Sequence, residues 1–459
     1  MEKANLILLM TTMLPEKSPW GMAGKLAPLG LAYVAAALEK SGFSVEIYDN
    51  YLLGQPIETV KEEIRKRQPE IVGITCSSLT YSRCVEMAKA AKEACTSCKV
   101  VVGGPHASYM PETLLQHSEI DFVVVGEGEA AMVQLAASIQ KGDPKAVSAA
   151  IPGVACKISG ETAKTQQQFI GDLDIIPFPA RHLLPMKMYD RVLPYIDAKP
   201  VDTMSILRGC TYHCAYCETR ALWGTSCRVF SPQRVIDEIK NIVENYGTKG
   251  IYFVGDNFTI NKNRTIELCH KIKENKLDLK WTCETRADLV NREVLSDMKS
   301  AGCQTIFFGT ESGSERIQQK LGKNVDLQEV KNTFELTRQI GIRTATSFML
   351  GIPGETVEDM QATFKFAKSL KADVCMFNIY IACPGSKLYD EVISQHLYDQ
   401  MDNYLARVKT KDFDYDMLVK IQKEFQGSFR KSAASNLIRV IKQEGIGSAV
   451  KKGTKLIFH

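Results

Sequence analysis

Short continuous apolar runs alternate with longer amphipathic segments over residues 1–140. Asn5–Met10 reads as a first strand, Leu29–Lys40 as a helix stopped at Ser41-Gly42, and Phe43–Tyr48 as a second strand. Glycine just past a helix end takes the left-handed cap that other residues resist. Ile57–Arg67 is the next helix, Ile71–Cys76 the third strand, and a helix follows from about Ser82 to Cys95. Val100–Val102 and Phe122–Val125 add two strands, each running into glycines. Strands apolar on both faces and separated by helices predict a doubly wound, Rossmann-like parallel sheet. Residues 141–200 interrupt the alternation with prolines at 144, 152, 177, 179, 185, 194 and 200, and read as an irregular connector laid over the surface.

The alternation resumes near residue 201. Thr203–Leu207, Gly250–Val254, Lys280–Glu284, Gln304–Phe308, Thr344–Leu350 and Val374–Ile381 are strands with helices between them, among them one from Ser231-Pro232 to Tyr246 and another over Arg292–Ser300. Six such units predict a partial (β/α)6 barrel rather than a closed eightfold one. Residues 401–459 read as a small helical region. The expected division is therefore 1–140, 141–200, 201–400 and 401–459.

Composition narrows the class. An apolar fraction of 45% and a charged fraction of 24% are those of a soluble globular chain. A net charge of +4 over 459 residues gives no case for nucleic-acid binding. Fourteen scattered cysteines suit a reducing compartment, and Leu6–Met10 is too short for a signal core or a span, so a cytoplasmic protein is expected. The tail from Arg430 carries seven Lys or Arg against Glu444. Leu437, Ile438, Val440 and Ile441 there make an amphipathic helix, suited to docking on the preceding domain or to an anionic membrane surface.

Candidate chemistry lies where strands end. Cys210, Cys214 and Cys217 follow the strand Thr203–Leu207 in the order Cys-x3-Cys-x2-Cys, with Tyr216 just before the third. Three thiolates on one loop can converge on one inorganic object. A cubane iron–sulfur cluster normally takes four, so three leave one iron open. A zinc site would want a second Cys-x2-Cys pair, which is not nearby. Further strands end at Asp256-Asn257, at Glu284-Thr285-Arg286, at Gly309-Thr310-Glu311-Ser312 and at Gly351-Ile352-Pro353-Gly354-Glu355. Singly, each acidic residue also reads as a helix cap. In the first domain Leu29-Gly30, Gly103-Gly104 and Gly126-Glu127-Gly128 sit at strand or helix ends, where glycine admits close approach of a bulky ligand or simply turns the chain. Cys95-Thr96-Ser97-Cys98 is a Cys-x2-Cys that closes a helix, where a redox motif would open one, and reads as chance proximity; Cys227, Cys269, Cys283, Cys303 and Cys375 lack ligand spacing and read as packing residues, whereas Cys383 lies at the expected barrel mouth.

The cysteine loop resembles the signature of the radical S-adenosylmethionine (SAM) enzymes, and residues 1–140 resemble the cobalamin-binding domain fused to many of them. The resemblance implies a 4Fe–4S cluster on Cys210, Cys214 and Cys217, with SAM chelated at the open iron and Tyr216 near its adenine. It implies Asp256 and Asn257 at the SAM amino group, Glu284 at the ribose hydroxyls, Glu311 within the same motif set, and the Gly351 turn at the adenine. Arg286 would pair with the SAM carboxylate or make a structural salt bridge. Cobalamin would meet Leu29, Gly30, Gly103, Gly104, His106, Gly126, Glu127 and Gly128, with its lower face on the loop after Cys76, around Ser77 and Ser78. The Asp-x-His-x-x-Gly motif of many cobalamin domains is missing, since Thr11 to Lys25 holds no histidine. No histidine lower ligand is therefore expected, and His106 reads as loop packing beside the corrin.

The implied reaction is methylation of an unactivated carbon through a 5′-deoxyadenosyl radical and methylcobalamin. The substrate would be a small or lipid-like molecule, and electrons would come from a flavodoxin- or ferredoxin-type donor. Alternatives are a cobalamin-using radical cyclase or rearrangement enzyme, a methylthiotransferase, and a cobalamin or cluster sensor without turnover.

Overall fold

In the computed structural model residues 6–14, 25–142, 150–193 and 195–444 are described, side chains only as far as residue 429. β1 (Leu6–Thr11), β2 (Ser44–Asp49), β3 (Ile71–Thr75), β4 (Lys99–Gly103) and β5 (Phe122–Val124) form a parallel sheet in the order β2-β1-β3-β4-β5. β1 is almost wholly buried, as a strand covered by helices on both sides must be. The order reverses between β1 and β3, and in open α/β sheets ligands bind beyond the carboxyl ends of the strands at such a switch.

The connector is less irregular than its prolines suggest. β6 (Val154–Ile158) and β7 (Glu161–Lys164) form a hairpin that pairs antiparallel with β5 and widens the sheet to seven strands. Its turn places Ser159 and Gly160 at φ of 52° and 87°, the paired left-handed geometry of a two-residue hairpin.

The second layer holds six parallel strands: β8 (Val201–Ser205), β11 (Gly250–Val254), β12 (Lys280–Thr285), β13 (Cys303–Glu311), β14 (Arg343–Leu350) and β15 (Val374–Ile379). Between the first two, β9 (Leu207–Arg208) and β10 (Arg228–Val229) make a short antiparallel ladder that brackets the cysteine loop. The order β15-β14-β13-β12-β11-β8 is sequential, so the carboxyl ends all open on one side. That is a partial barrel with a single mouth. The helix Pro232–Tyr246 starts as its sequence dictates: Pro232 occupies the first turn and Ser231 Oγ accepts from Arg234 N at 3.1 Å. Trp281 anchors the barrel core, stacked on Phe258 at 5.2 Å, with its indole N–H donating to Ala301 O at 2.8 Å.

The C-terminal region departs from the expected all-helical reading. β16 (Ile381–Ala382), β17 (Tyr398–Asp402) and β18 (Leu405–Val408) form a small antiparallel sheet before the helix Tyr415–Glu444 begins. β17 is largely exposed, so its apolar pattern is too weak to announce a strand. The long helix covers the open edge of β15. Gln422 Nε2 donates to Phe377 O at 2.7 Å and Gln426 Nε2 to Cys375 O at 3.1 Å, satisfying edge carbonyls that an unclosed barrel leaves bare. The side chains of Leu437, Ile438, Val440 and Ile441, and all of residues 445–459, lie outside the described set. Among the described residues no helix is long and apolar enough to cross a membrane.

Candidate functional site

Arg208 ends β9 and Gly209 turns the chain into the cysteine loop at φ +88°. Two backbone bonds fix that loop against the barrel: Ala215 N donates to Leu321 O at 2.8 Å and Leu388 N to Ala215 O at 2.9 Å. Cys210, Cys214 and Cys217 are half-buried thiols outside any disulfide. Cys217 Sγ contacts Thr219 Oγ1 at 3.2 Å, and Thr219 Oγ1 donates to Asp256 Oδ1 at 2.8 Å, so the loop is joined to the end of β11. Burial pushes the thiols of Cys210 and Cys217 up, a cost that iron reverses by holding them as thiolates. Among the described residues no three His, Cys, Asp or Glu side chains close tightly enough for a single ion. A cluster, which meets each thiolate at a different iron, fits three soft donors spread along one loop.

Facing that loop are the strand-end residues read from the sequence. Glu284 lies in the barrel interior, its Oε1 accepting from Tyr252 OH. Burial raises its carboxyl, opposed by that hydrogen bond, and the charges of Asp256 and Glu311 raise it further. Three carboxylates therefore share one space, where a sulfonium and an ammonium would be welcome. Glu311 sits at a bulge between β13 and β14 with φ +67°, a left-handed conformation that few non-glycine residues adopt. Its Oε1 accepts from Tyr216 OH at 3.0 Å and from Lys323 Nζ at 2.8 Å. Tyr216 is thereby locked beside the third cysteine.

Arg286 takes the structural pairing and keeps one hand free. It binds Asp288 through Nε at 2.9 Å and Nη2 at 2.8 Å, and its guanidinium lies 3.8 Å from the centre of the Tyr212 ring in the cysteine loop. Nη1 is buried without a partner. Asn257 is fully buried; its Oδ1 accepts from Thr285 Oγ1 at 2.7 Å, and its Nδ2 is likewise unpartnered. Two orphaned donors next to a sulfur loop fit a ligand bearing a carboxylate. The amides of Gly351 and Ile352 are taken by Glu355 Oε2 at 2.6 and 3.0 Å, and a Cβ on Gly351 would press on Leu418 of the long helix. Cys383 approaches Glu218 and Tyr109, and burial pushes its thiol up to about 12.

On the first domain the glycines sit at the strand ends. Gly30 is exposed and open, and Leu29 packs partly on the barrel core. Gly103 O accepts from Cys76 N at 2.8 Å. Gly104, at φ +99°, lies so close to Cys76 and Thr75 that only glycine fits. Ser77 caps the turn that follows β3, and Ser78 Oγ bonds His106 Nδ1 at 2.9 Å. His106 Nε2 meets Thr113 Oγ1 at 3.1 Å, its ring packs on Tyr81 and Tyr404, and burial lowers its pKa to about 4. Both ring nitrogens are engaged within the protein, as loop packing requires.

Glu127 also faces protein. It accepts from Ile170 N at 2.6 Å, Arg208 Nη1 at 3.1 Å and Arg228 Nη1 at 2.7 Å. Between them Gly126, at φ +79°, donates its amide to Ser108 Oγ at 2.9 Å, while Gly128 opens the next helix. Lys323 and the two arginines carried no functional sequence signal, because each meets its partner only through the fold. Cys227 also lies near Cys210.

Comparison with known proteins gives the same two parts. A model of the radical SAM superfamily matches residues 204–367 and one of the B12 binding domain matches residues 22–136. An uncharacterized methyltransferase of Pyrococcus horikoshii is 33% identical over 412 residues, 88% of this chain and 87% of that protein. The anaerobic magnesium-protoporphyrin IX monomethyl ester cyclase of Rubrivivax gelatinosus is 28% identical, over 81% of this chain and 67% of its own. The solved radical S-adenosylmethionine methyltransferase TsrM of Kitasatospora setae, with cobalamin and a 4Fe–4S cluster bound, superposes with a TM-score of 0.69. It covers 85% of this chain and 78% of its own at 21% identity, a likeness of fold.

Proposed function

The chain belongs to the radical SAM enzymes that carry a B12-binding domain, and from that premise we propose that it methylates an unactivated carbon of a small organic substrate. It is an enzyme of the cobalamin-dependent methyltransferase family, and its cofactors are a 4Fe–4S cluster, SAM and cobalamin. When bound, the cluster and SAM supply a hydrogen-abstracting 5′-deoxyadenosyl radical and cobalamin supplies the methyl group.

The protein's part is to hold and orient. Cys210, Cys214 and Cys217 hold the cluster. The free Arg286 Nη1 and Asn257 Nδ2 offer hydrogen bonds to the SAM carboxylate. Asp256 and Glu284 accept from its ammonium and ribose hydroxyls. Tyr216, fixed by Glu311 and Lys323, presents a ring to the adenine. The loops ending at Gly104 and Gly126, with Ser77 and Ser78, would hold cobalamin. Family chemistry consumes electrons, for which a flavodoxin- or ferredoxin-type donor is suited. The basic helix after Arg430 would make any contact with a membrane.

The observation that carries this reading is the cysteine loop set against three carboxylates at one barrel mouth, with the B12-binding loops fastened directly behind it. Cys76, Cys84, Cys95 and Cys98 are buried in the core of the first domain, and among the described residues no three of them converge as the second cluster of a methylthiotransferase would ask. The test is anaerobic incubation of reconstituted protein with reductant and methyl-labelled SAM. Expected are 5′-deoxyadenosine and label on cobalamin, both lost in Cys217→Ala along with its iron. Deoxyadenosine without label on cobalamin would favour ring formation or rearrangement, as the likeness to the porphyrin cyclase allows. No SAM cleavage by a fully loaded cluster would leave a sensor.

A further inference from the structure

We propose that Arg208 is a positioning residue that sets the corrin against the iron–sulfur cluster, through a buried four-charge clamp between the two cofactor loops. The inference rests on the cofactor assignment and not on which substrate is methylated. Arg208 stands two residues before Cys210 and is 5% exposed. Its Nη2 binds Glu129 Oε1, and its Nη1 lies 3.3 Å from Glu129 Oε2 and 3.1 Å from Glu127 Oε1. Arg228 stands opposite Arg208 in the β9–β10 ladder and reaches the same Glu127 oxygen at 2.7 Å. Two cations meet two anions; Arg208, Glu127 and Glu129 are buried and the Arg228 side chain is 9% exposed.

The geometry explains what the clamp holds. Glu127 and Glu129 flank Gly128 at the carboxyl end of β5, on the side where a doubly wound sheet binds its ligand. Arg208 leads through a single left-handed glycine into the cluster loop. Its guanidinium lies over the rings of Trp223 at 5.1 Å and Tyr33 at 5.5 Å. A fork-to-fork Arg–carboxylate pair is directional, so it transmits orientation as well as proximity. A buried ion pair adds little net stability over an apolar contact and is best understood as fixing register.

Reductive SAM cleavage needs the cluster, SAM and one electron from the reductant, and not the corrin. Transfer of the SAM methyl to cob(I)alamin needs the corrin in line: the C–S bond breaks with its pair kept by sulfur, and cobalt provides the pair of the new bond. The clamp should therefore govern the second and spare the first.

The full-length holoenzyme and its R208K and E129Q variants are compared, with iron and corrinoid content checked. In the doubly reduced protein, electron paramagnetic resonance reads the spin–spin coupling between cob(II)alamin and the reduced cluster. Both variants should shift or broaden that coupling and slow methyl transfer to cobalamin about 10- to 100-fold, the scale of an ångström misplacement, with SAM cleavage nearly unchanged. R181K serves as a control: it loosens the buried Arg181–Glu238 pair, at 3.0 Å, which touches neither loop. It should lower thermal stability and leave the coupling alone. Unchanged coupling in R208K and E129Q, or loss of both half-reactions in step with iron content, would overturn the proposal. If the wild type cleaves SAM without methylating cobalamin, the methyl-transfer reading fails, while a shifted coupling in the variants still supports the clamp.

Discussion

A buried carboxylate needs a cation, and Glu311 has one in Lys323, 5% exposed and 2.8 Å away. The pair holds the Tyr216 hydroxyl, so a charge balance behind the site keeps the aromatic ring beside Cys217. Lys323→Met should leave the Glu311 charge uncompensated and cost about 3–5 kcal/mol in chemical denaturation. The double variant with Glu311→Gln should recover most of it, because the burden is the unpaired charge and not the lost contact. The two residues differ in legibility for a physical reason. Cys210, Cys214 and Cys217 declare themselves because one loop carries the whole donor set. Lys323, by contrast, is one lysine among many until β13 bulges and turns Glu311 toward it. Glu127 shows the converse. Its place in a glycine loop suggested a ligand contact, whereas its oxygens meet arginines 81 and 101 residues away.

At the scale of elements, buried strands and capped helices were legible and exposed hairpins were not. The helices Leu29–Lys40, Ile57–Arg67 and Pro232–Tyr246 begin and end where apolar spacing, glycine and the Ser-Pro cap put them. β17 and β18 turn at Asn403 and Tyr404, both at positive φ, and carry Tyr404 onto Tyr81 and His106 in the other domain. Such a hairpin is held by tertiary contact, which no local pattern records. The cysteine loop depends on a smaller device. A Cβ on Gly209 would collide with Ser226 O, and its φ of +88° suits glycine alone. Gly209→Ala should cost about 1–3 kcal/mol of backbone strain. It should also shift Cys210 relative to Cys214, so that iron bound per chain after reconstitution falls while the circular dichroism of the fold persists.

Among the described residues, the ties between the two parts include the Arg208 clamp, the Tyr404 contact and the Arg181–Glu238 pair. Two buried titratable groups, one per domain, make that unity measurable. His106, facing Ser78, Thr113, Tyr81 and Tyr404, is held neutral with its pKa lowered from 6.5 to about 4. The unfolded chain binds its proton first, so this contribution is present above pH 6.5 and is lost as pH falls toward 4. Glu355, bonded to two amides with Asp359 and Arg316 nearby, is raised from 4.5 to about 8 by burial. Here the folded chain keeps the proton, so the contribution is present below pH 4.5 and is lost as pH rises toward 8. Each slope is about 1.4 kcal/mol per pH unit. If both domains unfold as one cooperative body, the His106 and Glu355 slopes oppose each other between pH 4.5 and 6.5, and of the two only the Glu355 loss continues between 6.5 and 8. Calorimetry of the apoprotein should then show one transition, falling more steeply above pH 6.5 than below it, with the fall above pH 6.5 reduced in Glu355→Gln. Two transitions moving in opposite directions with pH would mean instead that the domains melt apart, and that the Arg208 clamp orients the cofactors without joining the two folds into one.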